Sequence, residues 1–440
     1  MLRAESGKDS NGAGPYLEGT RVRASRVGAR RLEAAGEIPL AGIRRASAIL
    51  SDGVIAVSGT NGKTTTTAMI AAALRAAGVP VATNVTGANL PGGILAALLD
   101  AEPWARLAVL EVDEAWLPRL TPHLRPRTLV LTNVFRDQLD RFPDPDRVVT
   151  LLRDAATHLP PGARVLANAD DARLWEGLGT AAIGYGVRGA APAGPAGPER
   201  DAILCPRCGT SPRATGATIG HLGRLRCGAC GWRSPRAAYT ARLISARATE
   251  QRVRIGGRRV HLRLGGVHNT YNAVAAYATA RQLGVASRTA LEALRRFRPV
   301  FGRGELLRFR GAPIWLTLVK NPVGAASTLE QVAAEPRIGT LVLAINDADI
   351  DGRDPSWIWD IPLERLVERG IRVVPAGSRA FDVALRLKYA GAQMAAPEPD
   401  PLRALAAAAA GTRPGTIAVV ANYTAMLEVR RALTGRRLPA

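Results

Sequence analysis

The 440-residue sequence lacks any long hydrophobic segment. Its residues 404–411 form one of the longest apolar runs, yet this run is short and rich in alanine, whereas a membrane-spanning helix needs about 20 apolar residues. The N-terminal segment MLRAESGKDSNGAGPY contains no apolar stretch after its charged residues, so it does not resemble a secretory signal. We therefore expect a cytosolic protein. Its length predicts two or three domains.

Lysine is also scarce. Only Lys8, Lys63, Lys320 and Lys388 occur among the 59 basic residues, so 55 are arginines. The formal net charge is +22, but the arginines are spread along the whole chain. A basic surface favours anionic partners in general. Because no stretch concentrates basic and aromatic residues together, we expect no nucleic acid partner.

Cysteine is rare, and all four residues fall in two CxxC pairs separated by 18 residues. Disulfides are uncommon in a reducing cytosol, and this spacing is typical of a zinc ribbon. We predict that the ribbon occupies about residues 203–236 and binds a structural Zn²⁺ through Cys205, Cys208, Cys227 and Cys230. Four thiolates complete a tetrahedral site, so His221 between the pairs is not an expected ligand.

Apolar strands and helical segments alternate along the chain, which predicts an α/β protein with a parallel sheet. In the first half, strand-like runs lie at residues 54–57, 107–112, 128–132 and 164–167. A Pro/Gly/Ala linker at residues 189–199 then leads into the cysteine-bearing insert.

Three short alternating runs after the insert, at residues 239–245, 252–255 and 260–264, predict antiparallel strands, and a helix is expected at 270–282. A second α/β alternation follows residue 302, with strands expected at 340–345, 371–375 and 417–421. The predicted domains are an N-terminal arm with a helix at about 20–35 (residues 1–48), a central α/β domain (49–300) and a smaller C-terminal α/β domain (301–440).

A glycine-rich loop gives the clearest chemical signal. The segment VIAVSGTNGKTTTT, residues 54–67, runs from an apolar strand through Gly59 and Gly62 to Lys63 and Thr64. Glycines let backbone N–H groups approach phosphate oxygens, and the following helix N-terminus adds a positive dipole end. Lys63 can reach the terminal phosphates, and the Thr64 hydroxyl can bind Mg²⁺. Val57 stands where the full P-loop pattern has its first glycine, yet the segment predicts a nucleoside triphosphate site.

The segment GTNGKTTTT resembles the ATP loop of the Mur ligase family, which contains peptidoglycan amino-acid ligases and folylpolyglutamate synthases. Further segments resemble family motifs in the same order: LEVDE (110–114), TNVFRDQLDRF (132–142), NADD (168–171), GVHNTYNAVAAY (266–277) and GR (302–303). One departure is Gln138, which stands where histidine is usual. The ordered set implies a P-loop central domain of the Mur ligase type. The zinc ribbon predicted from the cysteines would be an insert in this domain, and most Mur ligases lack such an insert.

The resemblance also implies an ATP and Mg²⁺ site. Glu111 matches a glutamate that binds Mg²⁺, Asn168 an asparagine that contacts adenine, and Arg303 an arginine that closes on ATP from the domain junction. The implied nucleotide-binding residues are Gly59, Thr60, Asn61, Gly62, Lys63, Thr64, Thr65, Glu111, Asn168, His268, Asn269, Asn272 and Arg303. Of these, Lys63 and Glu111 are also implied to be catalytic.

Two alternatives stay open at this point. Glu111, Asp113 and Glu114 are alternatively a solvated acidic strand end, and His268 a polar residue at a helix start. Many Mur ligases use a carbamylated lysine, which the predicted central domain cannot supply because Lys63 is its only lysine.

A four-cysteine insert in the central domain, together with INDADIDGRDPSWIWD at residues 345–360, resembles the MurT-type subunits of lipid II isoglutaminyl synthase. The resemblance implies a heterodimer with a GatD-type glutaminase, which releases ammonia from glutamine. The MurT-type subunit activates the α-carboxylate of D-glutamate in lipid II as an acyl phosphate, and amidation gives D-isoglutamine. It would use ATP, Mg²⁺ and structural Zn²⁺ and work at the inner face of the membrane.

The same resemblance implies that Asp354, in the DGRD motif, reaches into the glutaminase and completes its Cys–His pair. A carboxylate that orients an imidazole is what such a nucleophile needs. Asp347, Asp349 and Asp351 are alternatives, as is a solvated acidic loop without this role. Trp357 and Trp359 are either core residues or interface anchors.

The segment LVKNPVG at residues 318–324 resembles a family segment near the substrate carboxylate, so Lys320 and Asn321 are candidate substrate residues. Two other functions remain as alternatives. A stand-alone amino-acid ligase of the Mur or folylpolyglutamate type predicts ATP turnover with an amino acid alone. A nucleic-acid-binding ATPase that reads through the ribbon predicts salt-sensitive binding.

Overall fold

The computed structural model describes residues 40–84, 87–137, 144–176, 178, 182–189, 204–299, 301–411 and 415–435. The helix expected at 20–35, most of the 189–199 linker and Gln138 lie outside these residues.

The described strands are listed in chain order. They are β1 (Gly53–Ser58), β2 (Val81–Thr83), β3 (Leu107–Glu111), β4 (Thr128–Leu131), β5 (Arg164–Asn168), β6 (Ile183–Arg188), β7 (Arg213–Ile219), β8 (Leu222–Arg226), β9 (Tyr239–Ala246), β10 (Gln251–Ile255), β11 (Arg258–Leu262), β12 (Arg303–Phe309), β13 (Ala312–Leu318), β14 (Ile338–Ala344), β15 (Arg372–Ala376) and β16 (Thr416–Ala421).

The described helices are α1 (Leu40–Ala48), α2 (Lys63–Ala76), α3 (Pro91–Leu99), α4 (Leu117–Leu124), α5 (Pro145–Thr157), α6 (Ala172–Trp175), α7 (Val267–Gln282), α8 (Ser287–Arg296), α9 (Pro322–Ala334), α10 (Glu364–Glu368), α11 (Ala380–Tyr389), α12 (Pro401–Ala410) and α13 (Tyr423–Thr434). A short 3-10 helix covers Ser356–Asp360. Among these helices, none has both the length and the apolar composition needed to cross a bilayer.

The part of the chain from α1 to α8, here called the large lobe, is built on one sheet with the strand order β11-β10-β9-β6-β5-β4-β1-β3-β2. In this spatial order, every neighbouring pair between β9 and β2 is parallel. The remaining strands, β9, β10 and β11, pair antiparallel, as their alternating sequences predicted. Side chains of β1 alternate between two cores: Ile55 and Val57 face one, and Val54 and Ala56 face the other. A strand covered on both faces reads as a continuous apolar run, which explains the sequence pattern.

Helix α1 belongs to this lobe although the sequence placed it with the N-terminal arm. Its Ile43 is fully buried in the core that α3 and α4 also cover. The part of the arm that the structure describes is therefore packed onto the large lobe.

The zinc-ribbon region forms a separate two-stranded antiparallel sheet of β7 and β8, inserted in sequence between the neighbouring strands β6 and β9. This placement agrees with the predicted insert at 203–236. Its turn, however, reaches the core of the large lobe, where Leu222 is 1% exposed.

The part from β12 to α13, here called the small lobe, contains a sheet in the order β12-β13-β16-β14-β15. The three strands predicted in this part correspond to β14, β15 and β16, which pair parallel to one another. The hairpin of β12 and β13 was not predicted from the sequence. Its turn contains Arg310 and Gly311, both at positive φ (48° and 84°), which is the conformation of a tight hairpin turn.

Candidate functional site

The carboxyl ends of β1, β3 and β4 meet at one edge of the parallel sheet, and the predicted phosphate loop follows β1 there. Open parallel sheets place ligand sites outside this edge. Gly59 and Gly62 have positive φ values of 118° and 85°, which favour glycine. A Cβ atom on Gly62 would also overlap with the Asn272 side chain. The loop therefore depends on both glycines, and helix α2 begins directly after it at Lys63.

Lys63 is buried and pairs with Glu114, a partner that could not be identified from the sequence. Its ammonium donates to Gly59 O at 2.7 Å and to Glu114 Oε1 at 2.9 Å. Burial alone would lower the pKa of Lys63, but the carboxylates of Glu114, Glu111 and Asp113 outweigh it and raise the pKa above its usual value. The lysine thus remains a cation beside the loop.

The acidic strand end after β3 is not solvated, so that alternative is wrong: Glu111, Asp113 and Glu114 are all buried. Glu111 Oε2 accepts a hydrogen bond from the Thr64 hydroxyl at 2.5 Å, and Glu111 Oε1 accepts one from Asn89 Nδ2 at 3.0 Å. A carboxylate and a hydroxyl this close are the oxygen donors that Mg²⁺ prefers. These two residues, Glu111 and Thr64, fit the predicted Mg²⁺ site.

Arg303, at the start of β12, reaches across from the small lobe to the same place. Its Nη2 donates to Thr64 Oγ1 at 2.8 Å, whereas its Nε is buried without a hydrogen-bond partner among the described residues. A buried donor without a partner is costly unless a ligand satisfies it. The guanidinium is therefore placed to receive an anionic group.

The first turns of α7 form the side of the site that faces the small lobe. Asn272 Oδ1 accepts from the Thr66 hydroxyl at 3.2 Å, and Asn272 Nδ2 donates to Asn269 Oδ1 at 3.0 Å. His268 Nδ1 lies 3.1 Å from Ser327 Oγ of helix α9. Burial, and next the charge of Arg303, lower the pKa of His268 to about 4, so the imidazole is neutral at physiological pH.

A cleft between the two lobes collects most of the predicted nucleotide residues. Its lining includes Asn61, Gly62, Thr65, His268, Asn269, Asn272 and Arg303. Lys63, Thr64 and Glu111 lie beside it through the contacts given above. Two cationic groups, a helix N-terminus and a buried carboxylate thus lie at or beside the cleft, which suits a Mg²⁺-bound triphosphate.

Asn168, like Gly59 and Thr60, is not among the residues that line this cleft. It is fully buried at the end of β5. Its Oδ1 accepts from Asp170 N at 3.1 Å, and its Nδ2 has no hydrogen-bond partner among the described residues.

The two candidate substrate residues of the small lobe contact the phosphate loop region. Lys320 Nζ lies 2.8 Å from Asp137 Oδ2, and Asn321 Nδ2 donates to Asn61 Oδ1 at 3.0 Å. Burial alone would raise the pKa of Asp137, but the Lys320 ammonium outweighs it and lowers the pKa. Lys320 and Asn321 of the small lobe therefore contact Asp137 and Asn61 of the large lobe. These contacts join the two lobes beside the phosphate loop.

Several site residues were not found from the sequence alone. Glu114 and Asp137 pair with the two lysines near the cleft, and Asn84 receives the Glu111 N–H at 2.8 Å and donates to Glu111 O at 2.8 Å. Glu114 stood inside the LEVDE motif and Asp137 inside TNVFRD, so the signal was their position in a motif. Asn84 carries no such signal.

The four cysteines form one cluster. The Sγ atoms of Cys205 and Cys230 are 3.6 Å apart, those of Cys208 and Cys227 are 3.5 Å apart, and all four lie within 4.8 Å of one another. Four sulfurs at about 2.3 Å from a central Zn²⁺ would be about 3.8 Å apart. The donor set and its spacing fit a structural zinc site.

Removing zinc from the protein is expected to lower its melting temperature by roughly 5 °C or more, because the ribbon has no apolar core of its own to replace the metal. The test combines metal analysis with scanning calorimetry on the untreated protein and on protein treated with a zinc-selective chelator. Adding zinc back should restore the transition. An unchanged melting profile in metal-free protein would rule out a structural role for the ion.

The acidic residues of the small lobe have different surroundings. Asp351 is buried and accepts hydrogen bonds from Thr424 N at 3.0 Å and from the Thr424 hydroxyl, which gives the NYT segment a structural role. Asp347 pairs with Arg379, and Asp349 pairs with Arg353 at 2.6 Å. Asp354 is exposed and accepts a hydrogen bond from Ser356 N at 2.8 Å.

The two tryptophans beside this loop differ as well. Trp357 is buried in the small-lobe core, whereas Trp359 is 44% exposed and stacks edge-on against Tyr389 of helix α11 at 5.6 Å between ring centroids. The core alternative is confirmed for Trp357, and for Trp359 the role of interface anchor stays a prediction.

Replacing Gly62 with alanine is expected to weaken ATP binding by more than about tenfold, because the new Cβ displaces Asn272 in addition to straining the backbone. The matched control is Gly78→Ala, since Gly78 also has a positive φ (79°) but has no atom within 4 Å of the added Cβ. Both variants should lose about 1–2 kcal/mol of folding free energy from the backbone strain. Calorimetric titration with ATP separates them, and equal affinities would contradict the packing argument.

Comparison with known proteins finds the family that the sequence motifs resemble. A model of the Mur ligase middle domain matches residues 57–193, and a model described as MurT ligase C-terminal matches residues 318–426. The lipid II isoglutaminyl synthase (glutamine-hydrolyzing) subunit MurT of Streptococcus pneumoniae is 34% identical over 394 residues, covering 88% of each chain. The subunit of the same name from Staphylococcus aureus is 32% identical over 347 residues, covering 77% of this chain and 78% of the relative.

Solved structures resemble the fold at lower sequence identity. The pseudomurein peptide ligase type C from Methanothermus fervidus superposes with a TM-score of 0.68 at 20% identity, covering 87% of this chain and 78% of that one. The folylpolyglutamate synthase from Mycobacterium tuberculosis, complexed with ADP and AMPPCP, gives a TM-score of 0.61 at 16% identity, covering 94% and 99%. These likenesses establish the Mur ligase fold.

Proposed function

This chain belongs to the family of MurT subunits of lipid II isoglutaminyl synthase, and from that membership we propose that it uses ATP to amidate the α-carboxylate of D-glutamate in lipid II, giving D-isoglutamine. The family is a branch of the Mur ligases, which implies ATP and Mg²⁺. One observation carries the proposal most directly: Arg303 of the small lobe donates to Thr64, which is hydrogen-bonded to Glu111, while the Lys63 ammonium lies on Gly59 O of the same loop. Because the substrate is a lipid, the reaction would take place at the inner face of the membrane.

The first chemical step transfers a phosphoryl group. An oxygen of the substrate carboxylate attacks the γ-phosphorus of ATP, the bond to the bridging oxygen breaks, and an acyl phosphate and ADP form. The loop N–H groups at residues 59–64 and the Lys63 ammonium hold the phosphates, and Arg303 stabilises charge on the transferred group. Glu111 and Thr64 would hold Mg²⁺, which neutralises charge on the phosphates when it is bound.

The second step forms the amide. Ammonia attacks the acyl carbon, the carbon–oxygen bond to phosphate breaks, and inorganic phosphate leaves. The proton that the attacking nitrogen loses passes to solvent. Lys320 and Asn321 lie where the small lobe meets the loop, so they are placed to orient the substrate carboxylate. Positioning of two reactants in this way supplies a large part of the rate.

The ammonia is proposed to come from a partner subunit of the GatD glutaminase type. The relatives are named as subunits of a glutamine-hydrolyzing enzyme, whereas every cysteine of this chain belongs to the zinc cluster. Asp354 is exposed, which a carboxylate needs in order to reach an imidazole in another protein. Asp351 is unsuited to this role because Thr424 holds it inside the small lobe.

An exposed apolar face that includes Trp359, five residues after Asp354 in sequence, supports the same partner. Phe381, Leu385 and Tyr389 follow one another at four-residue intervals on α11, all three are exposed, and Trp359 contacts the last of them. Aromatic side chains of this kind are enriched at protein interfaces. We place the glutaminase on this face, where it would also cover Asp354.

The direct test joins the purified chain to the glutaminase from the same organism and supplies lipid II, ATP, Mg²⁺ and glutamine. Amidated lipid II, detected by mass spectrometry together with ADP, supports the proposal. The stand-alone ligase alternative is tested in the same assay by replacing glutamine and the partner with free amino acids. Formation of an amino-acid adduct without the partner would favour that alternative, and absence of ATP binding would overturn both.

A further inference from the structure

The turn of the zinc ribbon is buried between the two lobes. Leu222 is 1% exposed and packs in the core of the large lobe, and Gly223 N donates to Asp170 O at 2.9 Å. Gly220, with φ of 51°, comes so close to Phe135 that an added Cβ would lie 2.9 Å from its ring; the same Cβ would lie 3.1 Å from Val323 of α9. The ribbon turn therefore touches both the large lobe and the small lobe.

His221 fixes the turn in this position. Its ring lies 4.7 Å from the Phe135 ring, centroid to centroid, and its Nε2 is 3.5 Å from Asp171 Oδ1. The side chains of His221 and Asp171 are both fully removed from solvent. His221, which is not one of the four cysteines of the metal cluster, thus attaches the ribbon to the NADD segment.

The buried turn is also part of the nucleotide cleft. Ile219 and Leu222 line it together with Ala248 and Leu264, and the same cleft is lined by Gly62 of the phosphate loop and by Arg303. A nucleotide needs both kinds of group, because its triphosphate is anionic and its base presents flat apolar faces. The loop and Arg303 are placed for the triphosphate, so the apolar side chains of the lining remain for the base.

We propose that the zinc-ribbon turn, residues 219–222, forms a wall of the base-binding part of the ATP site, so that the ribbon and its zinc set the affinity for ATP. This inference rests on the proposed ATP-dependent function. Cys227 directly follows β8, so the metal cluster fixes the strand that leads from the turn.

The test compares ATP with inorganic tripolyphosphate, which has the phosphates but no base. Ile219→Ala is the variant of choice because this side chain is only partly buried, so the fold should survive. In calorimetric titrations with Mg²⁺ on the full chain in complex with its glutaminase, Ile219→Ala should weaken ATP binding about fivefold to tenfold and leave tripolyphosphate binding unchanged. Leu204→Ala removes an apolar side chain from the exposed part of the ribbon, 61% exposed, and should change neither.

Zinc removal provides the second arm. A zinc-selective chelator should reduce affinity for ATP and spare affinity for tripolyphosphate, with a melting curve recorded on the same sample. Equal weakening of both ligands, or unchanged ATP binding in Ile219→Ala and in zinc-free protein, would overturn the inference while leaving the ATP site intact. If the unaltered protein binds neither ligand, the proposed function itself fails.

Discussion

Replacing Lys63 with alanine is expected to lower ATP-dependent amidation by about a thousandfold, equivalent to about 4 kcal/mol of transition-state stabilisation. Lys63 is the cation at the start of helix α2, and a compact ammonium suits a terminal phosphate better than a planar guanidinium. The measurement is the steady-state release of ADP with the glutaminase, lipid II and glutamine present. The control Lys388→Ala removes an exposed lysine of helix α11; because α11 carries the proposed glutaminase face, the two variants are also compared by ATP titration of the chain without its partner.

The same substitution has a second effect that must be separated from the first. Without Lys63, the carboxylate of Glu114 is left buried and unpaired, which costs about 3–5 kcal/mol of folding free energy. Adding Glu114→Gln to Lys63→Ala should recover much of the melting temperature but not the activity. Recovery of activity in the double variant would show that Lys63 acts only through folding, contrary to its proposed role at the phosphates.

Replacing Asp354 with asparagine is expected to reduce glutamine-dependent amidation by about a thousandfold or more, because the amide cannot orient and stabilise an imidazolium in the glutaminase. Amidation driven by added ammonium salt should stay within about twofold of the unaltered complex, since Asp354 does not line the nucleotide cleft. Both rates are measured on the same preparation of the complex.

Asp349→Asn is the control for this substitution. Asp349 is exposed and lies in the same loop, but it is paired with Arg353, so its replacement should leave both rates near those of the unaltered complex. Equal loss of the glutamine-dependent and ammonia-dependent rates in Asp354→Asn would contradict the proposal. Loss of complex formation, checked by size-exclusion chromatography, would point to a docking role for Asp354 instead.

The regular parts of the fold could be predicted because their signals are local. Strands β1, β3, β4 and β5 read as apolar runs between turns and helices, and the structure places each within about a residue or two of its prediction. The β12–β13 hairpin escaped prediction because its turn is Arg310–Gly311, not the Asn-Gly or Asp-Gly pair that marks such turns.

In the candidate site, too, the local motifs could be predicted and the contacts between distant residues could not. The phosphate loop and the cysteine pairs are short segments whose spacing alone specifies their chemistry. The partners of Lys63 and Lys320, by contrast, are carboxylates 51 and 183 residues away in sequence, and no local pattern states which acidic side chain will be turned toward which lysine. The burial of the LEVDE carboxylates likewise depends on tertiary packing that no local pattern states.

The sequence by itself determined the glycine loop before helix α2 and the cluster of four cysteines, because glycine and cysteine at fixed short spacings impose a backbone shape and a donor set that hardly depend on the rest of the chain. Tertiary structure alone decided that Asp354 is exposed while Asp351 is held inside, and that the ribbon turn lines the cleft. Each of these outcomes follows from contacts between segments far apart in the chain, whose free energy is shared among many side chains.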